Sequence, residues 1–315
     1  MKVFHDINTL DLVRPVATLG IFDGVHLAHQ SVIEKLKKIA DDLSGESVII
    51  SLWPHPRIVL NGVKDQVRLL NTLEEKIERL EKTGVDNLIL IPFNKEFASM
   101  GFDQFIREVL LKKVGISHLV VGYNHQFGRN REGNIENLKN LANELNFGLS
   151  MQEPILIDEI KISSSLIRKL ILSGNLEQAN NYLGYTYYIS GLVVGGNRKG
   201  RDIGFPTANI EVSEREKMIP PRGVYAVYAE SEGSFYKGMM NIGCRPTLNE
   251  DYQQDILEVN LFDFDGDLYQ KKMKVYFIKK IREERKFTNL EALSQQIAND
   301  KLWVHKILDS VKIEN

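Results

Sequence analysis

Four short apolar runs punctuate the first half of this sequence: Val16–Phe22, Ser47–Leu52, Asn87–Ile91 and His118–Gly122. Each is rich in β-branched residues, is bounded by Gly, Pro or Asn, and reads as a buried parallel strand. Between and after them lie the helix-like segments Ser31–Leu43, Thr72–Lys82, Asp103–Lys113 and Asn134–Leu145; in Asp103–Lys113, Phe105, Ile106, Val109 and Leu110 share one face. Strand and helix alternating at this spacing constrain the fold to an open, mostly parallel sheet covered by helices. Two more helices close this half. Ser164 and Ser165 precede Leu166, Ile167, Leu170 and Ile171, with Gly174 as a stop, and Asn175 caps Leu176–Leu183 ahead of Gly184.

Near Gly184–Tyr187 the texture changes. Tyr187–Val194, Val224–Glu230, Phe235–Ile242, Ile256–Phe262 and Met273–Ile281 are strand-like and are not separated by helices, which predicts an antiparallel barrel or sandwich. A last helix, Asn289–Leu308, follows Thr288 as its expected N-cap. Asp263–Asp267 has the glycine misplaced for a calcium loop and reads as an Asp-Gly hairpin turn. With 315 residues, the chain is expected to form two domains, 1–185 and 186–315.

Composition excludes several classes of protein. At 43% hydrophobic and 26% charged residues the chain can build substantial cores, and 40 basic against 42 acidic residues leave a formal charge of −2. That balance calls for no nucleic acid and no anionic membrane as partner. The single cysteine, Cys244, cannot form an internal disulfide, no apolar leader opens the sequence, and no apolar run approaches the ~20 residues of a membrane span. The expectation is a cytoplasmic protein.

The segment Gly20-Ile21-Phe22-Asp23-Gly24-Val25-His26-Leu27-Ala28-His29 directly follows the first strand. Gly20 and Gly24 permit a sharp turn at a strand's carboxyl end, where open α/β sheets bind ligands. His26 and His29 sit three apart at a helix start, so both face one side. Two imidazoles beside free N–H groups make a phosphate-binding corner, suited to a transfer that depends on positioning and charge stabilisation. By spacing alone they could equally be packing histidines. A zinc pair lacks a third ligand at a suggestive spacing.

In company with the strand and turn, this segment resembles the H-x-G-H signature of nucleotidylyltransferases, and its surroundings resemble the N-terminal domain of bacterial bifunctional riboflavin kinase/FAD synthetases. Ala28 stands where that family has Gly. Trp53-Pro54-His55-Pro56 is similar to the family's aromatic-Pro-His-Pro loop, and Ile162-Ser163-Ser164-Ser165-Leu166-Ile167-Arg168 to its I-S-S-T-x-I-R motif. The loop running from Val121-Gly122-Tyr123 to Arg131 resembles its counterpart, with Asn124, His125 and Gln126 replacing Asp-Phe-Arg.

The second half opens with Gly195, Gly196 and Gly200 among Arg198, Lys199 and Arg201, a loop whose N–H groups and charge suit phosphate. Gly204-Phe205-Pro206-Thr207-Ala208-Asn209 follows, and its alternation points Thr207 and Asn209 the same way as hard oxygen ligands for Mg²⁺. This run resembles the G-x-P-T-A-N motif of riboflavin kinases. Gly223-Val224-Tyr225, Asn241-Ile242-Gly243-Cys244-Arg245-Pro246-Thr247 and Arg282-Glu283-Glu284-Arg285-Lys286-Phe287 resemble further landmarks in family order. Glu258 occupies the place of the catalytic glutamate, although its alternation with Leu257 and Val259 also fits a solvent-facing strand residue.

The resemblance implies an α/β nucleotidylyltransferase-type, Rossmann-like N-terminal domain and an all-β riboflavin kinase-like barrel with a terminal helix. It implies phosphorylation of riboflavin to FMN with ATP and Mg²⁺, then adenylylation of FMN to FAD. His26, His29 and Glu258 would be catalytic. Gly20, Phe22, Asp23, Gly24, Ser163, Ser164 and Arg168 would bind ATP for adenylyl transfer, and Gly196, Lys199, Gly200, Thr207 and Asn209 for the kinase. Pro54, Pro56, Arg245, Arg282, Glu283 and Phe287 would contact flavin. The rival readings are a kinase lacking adenylyl transfer and a non-catalytic flavin binder.

Overall fold

The computed structural model describes residues 1–61, 67–123, 133–196, 204–244 and 255–311. They group into two compact units, Met1–Ser164 and Ser165–Asn315.

The first unit is built on six parallel strands: β1 (Lys2–Phe4), β2 (Val16–Leu19), β3 (Ser47–Trp53), β4 (Asn87–Pro92), β5 (His118–Gly122) and β6 (Gly148–Gln152), in the order β1-β4-β3-β2-β5-β6. Successive residues point to opposite faces, so each central strand feeds two cores. Val16, Ile49, Leu88 and Val120 pack on one side with Ile33 and Leu36. Ala17, Val48, Ile89 and Leu119 pack on the other with Ile106, Leu110 and Leu138. That two-sided burial explains the uniformly apolar runs in the sequence. β2 stops at Leu19, short of the expected Phe22, because the chain turns at Gly20.

Helices α1 (Leu27–Asp42), α2 (Pro56–Asn61), α3 (Leu73–Glu81), α4 (Lys95–Ala98), α5 (Phe102–Gln104) and α6 (Ile135–Leu145) connect the strands. Thr72 and Glu75 form a reciprocal capping box on α3. The segment Phe105–Val114, expected as α-helix, continues α5 as a π-helix and ends where the Gly115 N–H bonds the Leu110 carbonyl five residues back. The short strands β7 (Leu156–Ile157) and β8 (Ile160–Lys161) make a separate hairpin. The chain runs from β2 outward through β3 to β4, then returns to β5 and β6 on the other side of β2. Such a reversal opens a crevice at the carboxyl ends of β2 and β5.

In the second unit, α7 (Ser164–Leu172, beginning at the last residue of the first unit) and α8 (Leu176–Leu183) precede the barrel. Asn175 caps α8 by accepting from the Gln178 N–H, and Gly184 ends it in the left-handed region. Strands β9 (Tyr188–Val194), β10 (Ala208–Glu211), β11 (Gly223–Ser231), β12 (Ser234–Cys244), β13 (Asp255–Leu261) and β14 (Lys272–Arg282) close into an antiparallel barrel, β10-β13-β12-β11-β14-β9. Closure removes the edges that a sandwich would leave. Helix α9 (Leu290–Asp309) lays Val304 and Leu308 against Ala226, Met239 and Ile278.

Two expectations are corrected here. The cap of α9 is Asn289, whose Oδ1 accepts the Ala292 N–H at 2.8 Å, rather than Thr288. Asp263–Asp267 is not a hairpin turn: it links β13 to β14, which do not pair and are separated in the barrel by β12 and β11.

Candidate active sites

The turn between β2 and α1 is held in an unfavourable backbone conformation. Phe22 and Val25 have φ of 52° and 36°, a region that costs side-chain-bearing residues free energy. Burial and hydrogen bonding hold it in place. Phe22 and Val25 are buried, and the buried Asp23 carboxylate accepts N–H bonds from Leu70 (2.9 Å) and Asn71 (3.2 Å). Asp23 therefore builds the loop rather than projecting from it.

This turn delivers His26 as the N-cap of α1 and His29 into its first turn. Their rings stack with centroids 3.7 Å apart and planes 14° from parallel. His26 makes no side-chain cap hydrogen bond and the first turn carries no acidic residue, so the helix start has no anionic side chain of its own. Ser164 reaches the pair from far along the chain: its hydroxyl donates to the Asp23 carbonyl at 2.9 Å and lies 3.3 Å from His26 Nε2. The His pair and the serine segment, read as separate motifs, are thus in contact.

The pKa of His29 lies well below 6.5, because of burial first, then the nearby His26 and Lys76. Its Nδ1 is buried without a hydrogen-bond partner among the described residues. Lys76 escaped the reading of the sequence. Its buried ammonium donates to Ser51 Oγ at 3.3 Å and the Ile21 carbonyl at 3.4 Å, and stands 4.7 Å over the Trp53 ring. The signal was available: Leu73, Ile77 and Leu80 form the apolar stripe of α3, and Lys76 falls within it.

A cavity of about 220 Å³ opens beside His29, lined by Ala28, Val32, Gly122, Tyr123, Gln152 and Glu153 among others. It lies at the carboxyl end of β5, in the crevice that the sheet topology defines. Lys161, also on its wall, is 4.8 Å over the Tyr123 ring. Pro54 is exposed behind a cis Trp53–Pro54 bond, and Pro56 opens α2. Ser163 and Arg168 are half-buried, Arg168 one turn into α7. Asn124, His125 and Gln126 lie outside the described residues.

In the barrel, strand register gathers the second set. Asn209 pairs with Glu258, Glu258 with Asn241, Asn241 with Val224, and Val224 with Arg282, a row running β10-β13-β12-β11-β14. Directly opposed residues of antiparallel strands project to the same face, so Asn209, Glu258 and Asn241 stand side by side. Leu257 and Val259 are buried on the opposite face. The Glu258 carboxyl is pushed above its ordinary value by burial, partly offset by a hydrogen bond from Asn241. Asn241 headed a motif in the sequence but was given no role there, and Asn260, whose Nδ2 donates to the Pro206 carbonyl at 2.6 Å, was given none either.

The Asn209 carboxamide lies against the backbone of Gly196, in space a Cβ would fill: Nδ2 would be 2.0 Å from it. Thr207 is exposed just before β10. Gly243 likewise leaves room for the Glu284 carboxylate and the Asn241 amide. Arg282 donates to the buried Asp300 through Nε at 2.9 Å, and its Nη2 is 2.8 Å from the same oxygen. Glu283 is exposed and pairs with Lys280 at 2.7 Å, and the guanidinium groups of Arg282 and Arg285 both approach the Phe287 ring. Lys199, Gly200 and Arg245 fall outside the described residues. Among those described, no cluster of three His, Cys, Asp or Glu is placed to hold a metal.

An α/β unit with a His pair at its switch-point crevice, followed by a six-stranded barrel that sets a half-buried carboxylate in one row with Asn209 and Asn241, is the arrangement of a two-part nucleotide-using transferase. A family model described as FAD synthetase matches residues 10–166, and one described as riboflavin kinase matches residues 183–308. The chain belongs to the family of bifunctional riboflavin kinase/FMN adenylyltransferases. It is 39% identical to the member from Bacillus subtilis, covering 96% of each chain. It is 35% identical to that of Escherichia coli K12, covering 99% of each. Among solved structures it is similar to a Streptococcus pneumoniae protein designated macrolide-efflux protein, at 30% identity and a TM-score of 0.88 over 97% of this chain. No described helix is long and apolar enough to cross a membrane.

Proposed function

We propose that the chain makes FAD from riboflavin in two ATP-dependent steps, each carried out by one half. The barrel phosphorylates riboflavin to FMN, and the α/β unit transfers AMP from a second ATP to FMN, releasing pyrophosphate. One observation carries this reading: each half assembles its phosphate-handling groups from distant segments, His26 and His29 with Ser164, and Asn209 with Glu258 and Asn241.

In the kinase step Glu258 takes the proton of the riboflavin primary hydroxyl as its oxygen attacks the γ-phosphorus of ATP, and ADP leaves. Its raised pKa suits a base, and Asn241 keeps it aimed. Thr207 and Asn209 supply a hydroxyl and an amide oxygen, hard donors that fit Mg²⁺ shared with nucleotide phosphates, and the Gly196 backbone leaves room for Asn209 to adopt that position. Mg²⁺ held by these two side chains would neutralise charge on the transferring phosphoryl group.

In the adenylyl step an FMN phosphate oxygen attacks the α-phosphorus of ATP. His29, kept neutral by its lowered pKa, has one N–H to donate, and the His26 ring stacked on it stands beside the same α-phosphate oxygens. Ser163, Ser164 and Arg168 receive the departing pyrophosphate at a helix start. Gly20, Phe22 and Gly24 shape the turn around it. Pro54 and Pro56 face FMN, while Arg282, Glu283 and Phe287 flank riboflavin. A reducing cytoplasm suits the lone Cys244.

The test is incubation of the full chain with riboflavin, ATP and Mg²⁺, with flavins separated over time. FMN appearing first and FAD later is the expected course. FMN without FAD would remove the adenylyl half of the proposal, and unchanged riboflavin would remove the whole of it.

A further inference from the structure

The last helix is joined to the segment that follows β14 by a closed ring of interactions. Asp300, buried on α9, takes Nε and Nη2 of Arg282 on Oδ2 at 2.9 and 2.8 Å, and the Gln296 amide on Oδ1 at 2.7 Å. Gln296, one helical turn earlier, in turn accepts from Arg285. The Arg285 and Arg282 guanidinium groups lie 4.9 and 5.8 Å from the centre of the Phe287 ring, which closes the circuit. Arg282 also donates from Nη1 to the Glu283 carbonyl at 3.0 Å, bracing the backbone of the same segment. Beyond it, the Glu284 carboxylate occupies the space over Gly243, beside the Asn241 amide that bonds Glu258.

We propose that Asp300 is a positioning residue of the kinase site, which through Arg282 sets the wall formed by Arg282–Phe287 against which riboflavin is held. The proposal rests on the placement of Arg282 and Phe287 at the flavin given above. A guanidinium with two donors fixed on one buried carboxylate oxygen has little freedom left, and its aromatic neighbour shares that rigidity. Without the Asp300 charge, Arg282 gains alternative rotamers and Phe287 loses one of the two cations held near its ring. Riboflavin binding then carries the cost of reordering the segment, whereas the phosphoryl-transfer residues Glu258, Asn241 and Asn209, held by β-strand register, keep their places.

The experiment uses full-length Asp300→Asn, an isosteric change that keeps one acceptor, in steady-state assays of FMN formation with riboflavin and ATP varied separately. A melting curve of the same preparation measures the folded fraction of the barrel, and conversion of added FMN to FAD is the control for the other unit. The expected result is a KM for riboflavin raised about tenfold, with kcat and the KM for ATP within about twofold of wild type, from loss of a charge-assisted bond. FMN adenylylation is unchanged. Arg282→Met raises the riboflavin KM at least as far, and Asp300→Asn added to Arg282→Met raises it no further. A riboflavin KM unchanged in Asp300→Asn while Arg282→Met raises it overturns the role of Asp300 and leaves Arg282 at the flavin. An unchanged KM in Arg282→Met overturns the placement of Arg282 itself. Full additivity in the double variant, or a fall in kcat alone in proportion to lost folded protein, overturns the proposal in favour of a purely structural clamp.

Discussion

Gly196→Ala separates the geometry of the kinase site from its stability. Gly196 does not occupy the left-handed region, so its backbone accepts alanine, but the added Cβ would stand 2.0 Å from Asn209 Nδ2 and 2.8 Å from Asn209 Cγ. Ordinary contact needs about 3.5 Å, so the carboxamide must shift by more than an ångström. The strand is anchored by its register with Val194 and Glu258, and the cheapest relief is rotation of the Asn209 side chain. That costs about 1 kcal/mol, which lowers the melting temperature of a domain this size by about 3–5 °C. Activity is far more sensitive: a donor displaced by about 1 Å from a reacting phosphate costs about a hundredfold in rate. FMN formation should therefore fall about a hundredfold while conversion of FMN to FAD is untouched. Chromatographic rates for both steps and a melting curve decide it. A kinase rate within about twofold of wild type in a folded variant would show that the Asn209 position is immaterial, and refute its assignment to the nucleotide.

Glu258→Gln should reduce FMN formation by about 10²–10⁴-fold and spare FAD formation from FMN. Because burial raises the Glu258 pKa from 4.5 and the base must be ionised, wild-type kinase activity should fall with pH through a value above 4.5; an acid limb at or below it contradicts this. His29 has a folded pKa below its unfolded 6.5, so the unfolded chain binds more protons. Its stabilising contribution is present above 6.5 and is lost as pH falls toward the folded value. Calorimetric melting temperature should thus decline more steeply between about pH 7 and about pH 5 for wild type than for His29→Gln, which also loses FAD but not FMN formation. Asp23→Ala removes the acceptor for the Leu70 and Asn71 N–H groups and should cost about 3 kcal/mol in urea unfolding. Asp23→Asn, which keeps an acceptor oxygen, should cost less.

What was legible in the sequence, and what was not, follows from how far each signal reaches. β2 to β5 were readable because burial on both faces demands unbroken apolar runs. β1 has three residues and β6 is the half-buried edge Gly148–Gln152, so neither needed such a run. β10 has four residues and counted only as extended chain until β9 and β13 paired with it. The His turn announced itself through glycines at a strand end. Lys76 left a fainter trace, a cation within the apolar stripe of α3, and its partners Ser51, the Ile21 carbonyl and the Trp53 ring are brought to it only by the fold.

The barrel shows the same limit more sharply. Asn209 and Glu258 were each singled out within their own motif, yet their adjacency depends on β10 pairing with β13, strands separated in sequence by two others. The fold of the barrel makes that pairing, and the register of β12 on β13 sets Asn241 beside Glu258, a role that its place at the head of a motif did not announce. Asp300 lies farther still from any local signal, on a helix whose apolar face already accounts for its docking. Motifs mark the groups that meet substrate because chemistry restricts those residue types. Groups that hold them in place are restricted only by distance to a partner, and that distance exists only in the folded chain.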